Sequence, residues 1–503
     1  MEPGEPPTLS LITTGINGLD NVLEGGFTPH RLYLISGNPG SGKTTLALSL
    51  LIAGAAQGQR CLYVTLSESR EEVRHVARSH GWDLDAWANF EICEVVASEG
   101  ILDQEAQFTM FHPAEVELTE TTKSVLVEVE RVKPTLVVFD SLSELRLLAQ
   151  GSLRYRRQIL ALKQYFTGRK ATVFLLDDGT SEPTDMHLQS IAHGVIHLEQ
   201  LAPEYGAERR RMRVIKMRGR SYRGGYHDFI IQTGGLQVFP RLVASEHHEE
   251  YAEEDVSSGL ERLDLLLGGG LRRGTNTLVL GPAGTGKSTL ATQFVHAATE
   301  RGEHAAIFTF EEGLDTLLAR AEALGIGLDD SIANGRAAIQ LINPAELSPG
   351  EFAHRVRKAV EVDGAKVVVI DSLNGYLNAM PEERFLIVQL HELLSYLGQQ
   401  GVVTILVMAQ HGLLGSQMMT PVDASYLADT VILLRFFETH GEVRQAISVV
   451  KKRSGPHERT IRDLSTIEGR LTLGEPLRGY HGILNGTPWE SDVPPQTVTS
   501  ATQ

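Results

Sequence analysis

The sequence predicts an α/β protein built as two tandem domains, each with a mostly parallel central sheet flanked by helices. Three observations carry that reading. A glycine-rich run, GNPGSGKTT at 37–45, returns far downstream as GPAGTGKST at 281–289. Short apolar, β-rich runs alternate with longer helix-compatible stretches in both halves. Matched segments also keep their order along the chain: TGINGLD (14–20) with SGLERLD (258–264), TLVVFDSL (135–142) with KVVVIDSL (366–373), and VIKMRG (214–219) with VVKKRS (449–454).

In the first half RLYLIS, CLYVTL, TLVVFD and ATVFLLDD read as buried parallel strands. TNTLVLG, AAIFTF, KVVVID and VVTILVMAQ take those places in the second. Each half should close with a more antiparallel part, which GVIHLEQL, RRMRVIKMR and DFIIQTGGLQVF supply in the first. The acidic segment ASEHHEEYAEEDVSS between the copies reads as a solvated linker. The expected domains are therefore 1–251 and 252–489, with 490–503 as a short disordered tail.

Bulk properties narrow the function. At 503 residues the chain exceeds one typical core. It is 42% apolar and 22% charged, with no apolar run long enough to cross a bilayer. The opening MEPGEPPTLS has no secretory pattern, and Cys61 and Cys93 alone suggest no disulfide framework. A soluble, cytoplasmic protein without membrane contact is expected. The net charge of -17 weighs against nucleic acid as a partner.

The chemistry lies first in the two glycine-rich loops. The pattern G-x-x-x-x-G-K-[ST] after a strand and at the start of a helix aims backbone N–H groups at phosphate oxygens. Its Lys reaches the terminal phosphates and its hydroxyl serves Mg²⁺. Gly37, Gly40, Ser41, Gly42, Lys43, Thr44 and Thr45 form the first such loop, and Gly281, Gly284, Thr285, Gly286, Lys287, Ser288 and Thr289 the second. Asp140 and Asp371, each ending an apolar strand, are the acidic partners of Thr44 and Ser288 at the metal. Phosphoryl chemistry also needs a carboxylate to accept a proton from the attacking oxygen. FTFEEG (308–313) offers Glu311 and Glu312 for this, whereas VTLSES offers Glu68, with Ser67 in place of one carboxylate.

Two phosphate loops in tandem, FTFEEGLDTLLARAEALG, ARSHGWDL and the paired KMRG and KKRS together resemble the KaiC family, the double-domain RecA-like P-loop ATPases and autokinases of the cyanobacterial clock. The resemblance runs from about Leu11 to about Trp489. It implies ATP as the nucleotide and a double-ring homohexamer with ATP at subunit boundaries. Lys216 and Arg218 in one ring, and Lys451 and Arg453 in the other, would reach the phosphates of a neighbouring subunit's nucleotide. It also implies serine autophosphorylation in the second domain, where Ser425 falls at the acceptor position when MMTPVDASYLADTVILL is anchored on Asp429. Here the sequence departs from the family, because Tyr426 replaces the adjacent phosphothreonine and Pro421 follows Thr420, where an aspartate is usual. The short tail after Trp489 likewise departs from the family's longer, partner-recruiting one. The reading is an ATP-driven signalling or timing switch with possible signalling protein partners. Its rivals are a RecA/RadA-like DNA-dependent ATPase or helicase, suggested by the basic run ERRRMRVIKMRGRSYRGG, and an ATP-bound scaffold without kinase activity.

Overall fold

The computed structural model describes residues 10–95, 113–149, 151–179, 187–203, 205–378, 385–410, 425–485 and 489–490. Thr420, Pro421 and the tail from 491 onward lie outside the described residues. The chain divides into two compact units, Met1–Arg241 and Leu242–Gln503.

In the first unit, nine strands follow in chain order: β1 (Leu32–Gly37), β2 (Cys61–Thr65), β3 (Phe90–Glu94), β4 (Leu136–Asp140), β5 (Thr172–Asp177), β6 (Gly194–Leu201), β7 (Arg209–Met217), β8 (His227–Gln232) and β9 (Gly235–Phe239). They form one sheet in the order β3-β2-β4-β5-β1-β6-β7-β8-β9. Every pairing from β3 to β6 is parallel and every pairing from β6 to β9 is antiparallel. GVIHLEQL is thus the hinge strand, parallel to β1 on one side and antiparallel to β7 on the other.

All six residues of β1 are buried, as a central strand covered on both faces must be. Strand alternation divides its side chains between two cores. Tyr33 and Ile35 join Tyr63, Val138, Phe174 and Leu176 beneath the helix Lys43–Ala56. Leu32 and Leu34 join Leu62, Val64, Phe139 and Leu175 beneath the helices Pro113–Val132 and Ser152–Gly168. The helix Arg70–Ser79 starts at a capping box in which Ser69 and Glu72 satisfy each other's backbone N–H groups.

The second unit repeats the plan with β10 (Asn276–Gly281), β11 (His304–Thr309), β12 (Ala337–Leu341), β13 (Ala365–Asp371), β14 (Val403–Ala409), β15 (Thr430–Thr439), β16 (Glu442–Lys452), β17 (Arg462–Ile467) and β18 (Arg470–Pro476). The order β12-β11-β13-β14-β10-β15-β16-β17-β18 matches the first sheet strand for strand. These are two RecA-like sheets with helices on both faces. Strands β3 and β12, which extend each sheet beyond β2 and β11, were not among the segments read as strands. Three of the five residues of β12 are only partly buried and one is exposed, so it lacks the apolar run that marks a central strand.

The units divide N-terminal to the break expected at 251/252. Leu242 and Ala244 are buried in the second unit's core, the Ala244 amide donates to Glu392, and the His247 carbonyl accepts from Gln400. Acidic composition suggested solvation, but these contacts anchor the beginning of the segment. At the end of the first unit, buried His227 receives the Arg241 amide on Nδ1 at 2.9 Å and faces the Arg223 carbonyl with Nε2 at 2.9 Å. Both contacts suit a neutral ring that donates from Nε2.

Burial, reinforced by the Arg241 and Arg223 charges, pushes the His227 pKa down from 6.5 to about 4. The unfolded chain therefore takes up this proton first, so stability is complete above pH 6.5 and falls as pH drops towards 4. The expected loss for the first unit is about 3 kcal/mol across that window. Urea unfolding of the wild-type and His227→Gln proteins between pH 7 and 4 checks it, and equal pH slopes would exclude His227 as the source.

Candidate functional site

Each glycine-rich loop leaves the C-terminal end of a central strand and opens a helix, Lys43–Ala56 in the first unit and Lys287–Glu300 in the second. Gly42 and Gly286 cap these helices in the left-handed region, at φ 96° and 89°, and Gly40 and Gly284 share that conformation. A Cβ on Gly37 would lie 2.5 Å from the Leu198 carbonyl oxygen, and one on Gly281 would lie 2.5 Å from that of Leu434. The neighbouring strand therefore holds each loop tightly. Ser41 and Thr285 are buried inside the turns, and the Thr285 hydroxyl donates to the Pro282 carbonyl at 2.8 Å.

Lys43 and Lys287 are each 7% exposed. Lys43 Nζ donates to the carbonyls of Gly37 (2.8 Å) and Asn38 (3.0 Å), and Lys287 Nζ to that of Pro282 (2.6 Å). Thr44 donates to Asp140 Oδ2 at 2.9 Å, with Tyr63 on the same carboxylate oxygen, and Ser288 hydrogen-bonds to Asp371. Burial pushes both aspartates above the usual carboxylate range, against these hydrogen bonds. A hydroxyl beside a sheltered carboxylate fits Mg²⁺, which keeps several waters and takes few protein ligands. Among the described residues there is no group of three or more His, Cys, Asp or Glu that could hold a metal ion. The peptide bond after each aspartate is cis. Behind the loops, Thr45 lies 3.4 Å from His80 Nε2 and Thr289 lies 3.3 Å from Arg320.

The acidic candidates fall into register. Thr65 opposes Asp140 as Thr309 opposes Asp371, and each threonine hydroxyl bonds the backbone three residues on, at Glu68 and Glu312. Glu68 therefore corresponds to Glu312, and Ser67 to Glu311. Glu312 is held by a two-pronged ion pair with Arg320 (2.7 and 3.1 Å), whereas Glu311 accepts the Ser372 hydroxyl at 2.5 Å. Burial, with Asp140 and Glu72 nearby, pushes the Glu68 pKa up. Its buried Oε2 has no hydrogen-bond partner among the described residues. Sequence reasoning missed Asp178, which ion-pairs with Lys43 at 3.1 Å and accepts hydroxyls from Ser141 (3.0 Å) and Ser143 (2.8 Å). The paired acids of ATVFLLDD were the available signal, passed over as the end of a strand.

The basic pairs do not join their own loops. Lys216 pairs with Val195, which pairs with Leu34, three residues short of Gly37. Lys451 stands likewise through Val431 and Leu278, three short of Gly281. Each lysine is thus two strands (~9.5 Å) across and three residues (~10 Å) back from its own loop. A bulge interrupts the pairing beside both. Lys216 binds the Gln189 carbonyl and Arg218 that of Ser190 (2.6 Å). Lys451 binds the carbonyls of Ser425 and Ala428 (both 2.7 Å), and Arg453 lies 3.6 Å from Asp429. Ser425 and Tyr426 are exposed in this turn. The basic run on β7 is partly neutralised, Arg211 by Glu199 (2.7 Å) and Arg210 by Glu208 (3.0 Å).

A family model described as "ATPase: KaiC" matches residues 12–243 and again 256–470. Circadian clock protein KaiC3 of Synechocystis is 27% identical over 492 residues, covering 96% of this chain and 95% of the relative. Circadian clock oscillator proteins KaiC of Picosynechococcus and Acaryochloris marina are 25% and 26% identical, each over 95% of this chain and over 92% and 91% of their own length. Among the described residues no helix is long and apolar enough to cross a membrane.

Because the Leu434 carbonyl leaves no room beside Gly281, Gly281→Ala should destabilise the second unit by about 1–3 kcal/mol. Hydrogen exchange of peptides covering 276–300 checks this. Unchanged protection would show that the loop yields to the added methyl.

Proposed function

We propose, from the premise that the chain belongs to the KaiC family of ATPases, that it binds ATP at both glycine-rich loops, hydrolyses it, and transfers phosphate to Ser425 between subunits of a double-ring hexamer. The observation that carries this reading is the placement of Lys216, Arg218, Lys451 and Arg453 at the end of each sheet away from that unit's own loop. Cations there lie far from their own unit's loop and would serve a nucleotide on a neighbouring subunit, as intersubunit binding requires. The same turn that anchors Lys451 presents Ser425, so acceptor and cation would approach a neighbour's nucleotide together.

In hydrolysis, Glu68 or Glu311 orients a water and takes its proton. The water oxygen bonds to the γ-phosphorus as the bridge to ADP breaks. Glu68 suits this role because its raised pKa and unpartnered oxygen favour proton uptake. In the second unit Glu312 is committed to Arg320, which leaves Glu311 as the base and Ser372 as its positioning partner. Lys43 and Lys287 balance charge on the terminal phosphates. Mg²⁺, held by Thr44 with Asp140 and by Ser288 with Asp371, would supply further charge neutralisation. For transfer to protein, the Ser425 oxygen replaces water, its proton goes to Glu311 of the neighbour, and ADP leaves. The added phosphate brings about two negative charges to a subunit boundary, enough to bias ring packing and to serve as a timing or signalling state read by partner proteins. The curated relatives' clock names agree with such a role.

Glu68→Gln and Glu311→Gln should each lower ATP turnover by their own unit about 10²- to 10⁴-fold. Phosphate release from each single variant and from the pair measures it, and rates equal to the parent's would reassign the bases. Transfer between subunits is tested by mixing Lys287→Ala and Ser425→Ala proteins with labelled ATP. Label should appear on Ser425 of the Lys287→Ala chain although neither protein labels alone. Label on Tyr426 in place of Ser425 would overturn the acceptor assignment, and no label in the parent would remove the kinase reading and leave an ATPase.

A further inference from the structure

The two sites place a carboxylate differently: the first has Asp178 in ion-pair contact with the phosphate-loop lysine and Ser67 where the second has Glu311, whose charge acts on Lys287. Asp177 pairs with Ser36, so Asp178 stands beside Gly37, and Ala409 pairs with Gly281 at the equivalent place. Asp178 Oδ1 lies 3.1 Å from Lys43 Nζ, while Oδ2 is fixed by Ser141 and Ser143. Those two hydroxyls prevent the carboxylate from swinging away without losing hydrogen bonds. In the second unit the corresponding Ser372 turns to Glu311 instead, and Asn374 clasps the backbone of Ala409 through its Nδ2 (3.0 Å) and Oδ1 (2.7 Å). The exchange therefore involves three paired positions: Ser67 with Glu311, Ser143 with Asn374, and Asp178 with Ala409.

We infer that Asp178 is an internal competitor for the terminal phosphate at Lys43, which makes the first site bind nucleoside triphosphate more weakly than the second. The inference rests on the reading that Lys43 holds nucleotide phosphate. A buried ammonium has room for few anionic partners, and Asp178 already supplies one at ion-pair distance. A triphosphate must displace that carboxylate or share the lysine with it, with two like charges brought close in a sheltered site. Although burial raises its pKa, hydrogen bonds from Ser143 and Lys43 outweigh that and hold Asp178 below the usual carboxylate range. It is therefore a persistent anion and a poor base, unlike Glu68. At the second site Ala409 carries no charge, and Glu311, though its charge acts on Lys287, is turned to the Ser372 hydroxyl, so the carboxylate that pairs with the lysine in the first site has no counterpart at 409.

Each site is isolated by removing the other lysine in the full-length chain. Binding of N-methylanthraniloyl-labelled, non-hydrolysable ATP with magnesium is followed by fluorescence. In a Lys287→Ala background, Asp178→Asn, which keeps an oxygen for the serine hydroxyls, should tighten binding about tenfold, the scale of one charge-assisted contact. In a Lys43→Ala background, Ala409→Asp should weaken binding by a similar factor. Asp178→Ala repeats the first measurement with a smaller side chain. Unchanged or weaker binding on replacing Asp178, or undiminished binding on adding Asp at 409, would overturn the inference alone. Absence of any binding in the Lys287→Ala protein would overturn the first-site reading with it.

Discussion

Both sites depend on the burial of one strand in each sheet. β1 lies between β5 and β6, and β10 between β14 and β15, so each strand has both edges hydrogen-bonded. A chain leaving such a strand has only one way out, over the sheet's C-terminal edge into the loop that caps the next helix. The carbonyls of Leu198 and Leu434 then press on Gly37 and Gly281 and fix the loops from the side. This packing brings the lysines, hydroxyls and aspartates together, and their mutual contacts, such as Thr44 with Asp140 and Lys43 with Asp178, then fix the side chains. A sheet edge could not impose the same precision, because an edge strand has a partner on one side only.

Much of this was legible in the sequence. The repeated loops, the strands ending in Asp140 and Asp371, and the antiparallel closure all stand where their patterns put them, because long apolar runs and glycine-rich turns state their conformations locally. The acidic residues were only partly legible. Glu311 and Glu312 look alike in FTFEEG, and tertiary contacts tell them apart: the helix Leu314–Ala323 carries Arg320 to Glu312, and Ser372 donates to Glu311. Asp178 was missed because its partner Lys43 lies far away in sequence and meets it only when β5 aligns with β1. The linker was misjudged in part, because the depth at which Leu242 and Ala244 pack is tertiary information.

The same scaffold accommodates two charge arrangements. With serine at 67, the hydroxyl of Ser141 is available to Asp178. With glutamate at 311, the hydroxyl of Ser372 is drawn to that side chain instead. The position of the acid thus decides where this donor points, while strand order and the pairing of Thr65 with Asp140 and Thr309 with Asp371 are the same in both sheets.

The turn before β15 fastens Lys451 through main-chain oxygens, and the short helix His187–Ile191 before β6 fastens Lys216 in the same manner. A carbonyl is common to all twenty amino acids. The lysine's anchorage therefore survives any residue at 189 or 425, whether glutamine or serine, and those side chains can drift over evolutionary time without dismantling the cation's mooring. The two halves in this way keep the same mooring with glutamine at one position and serine at the other.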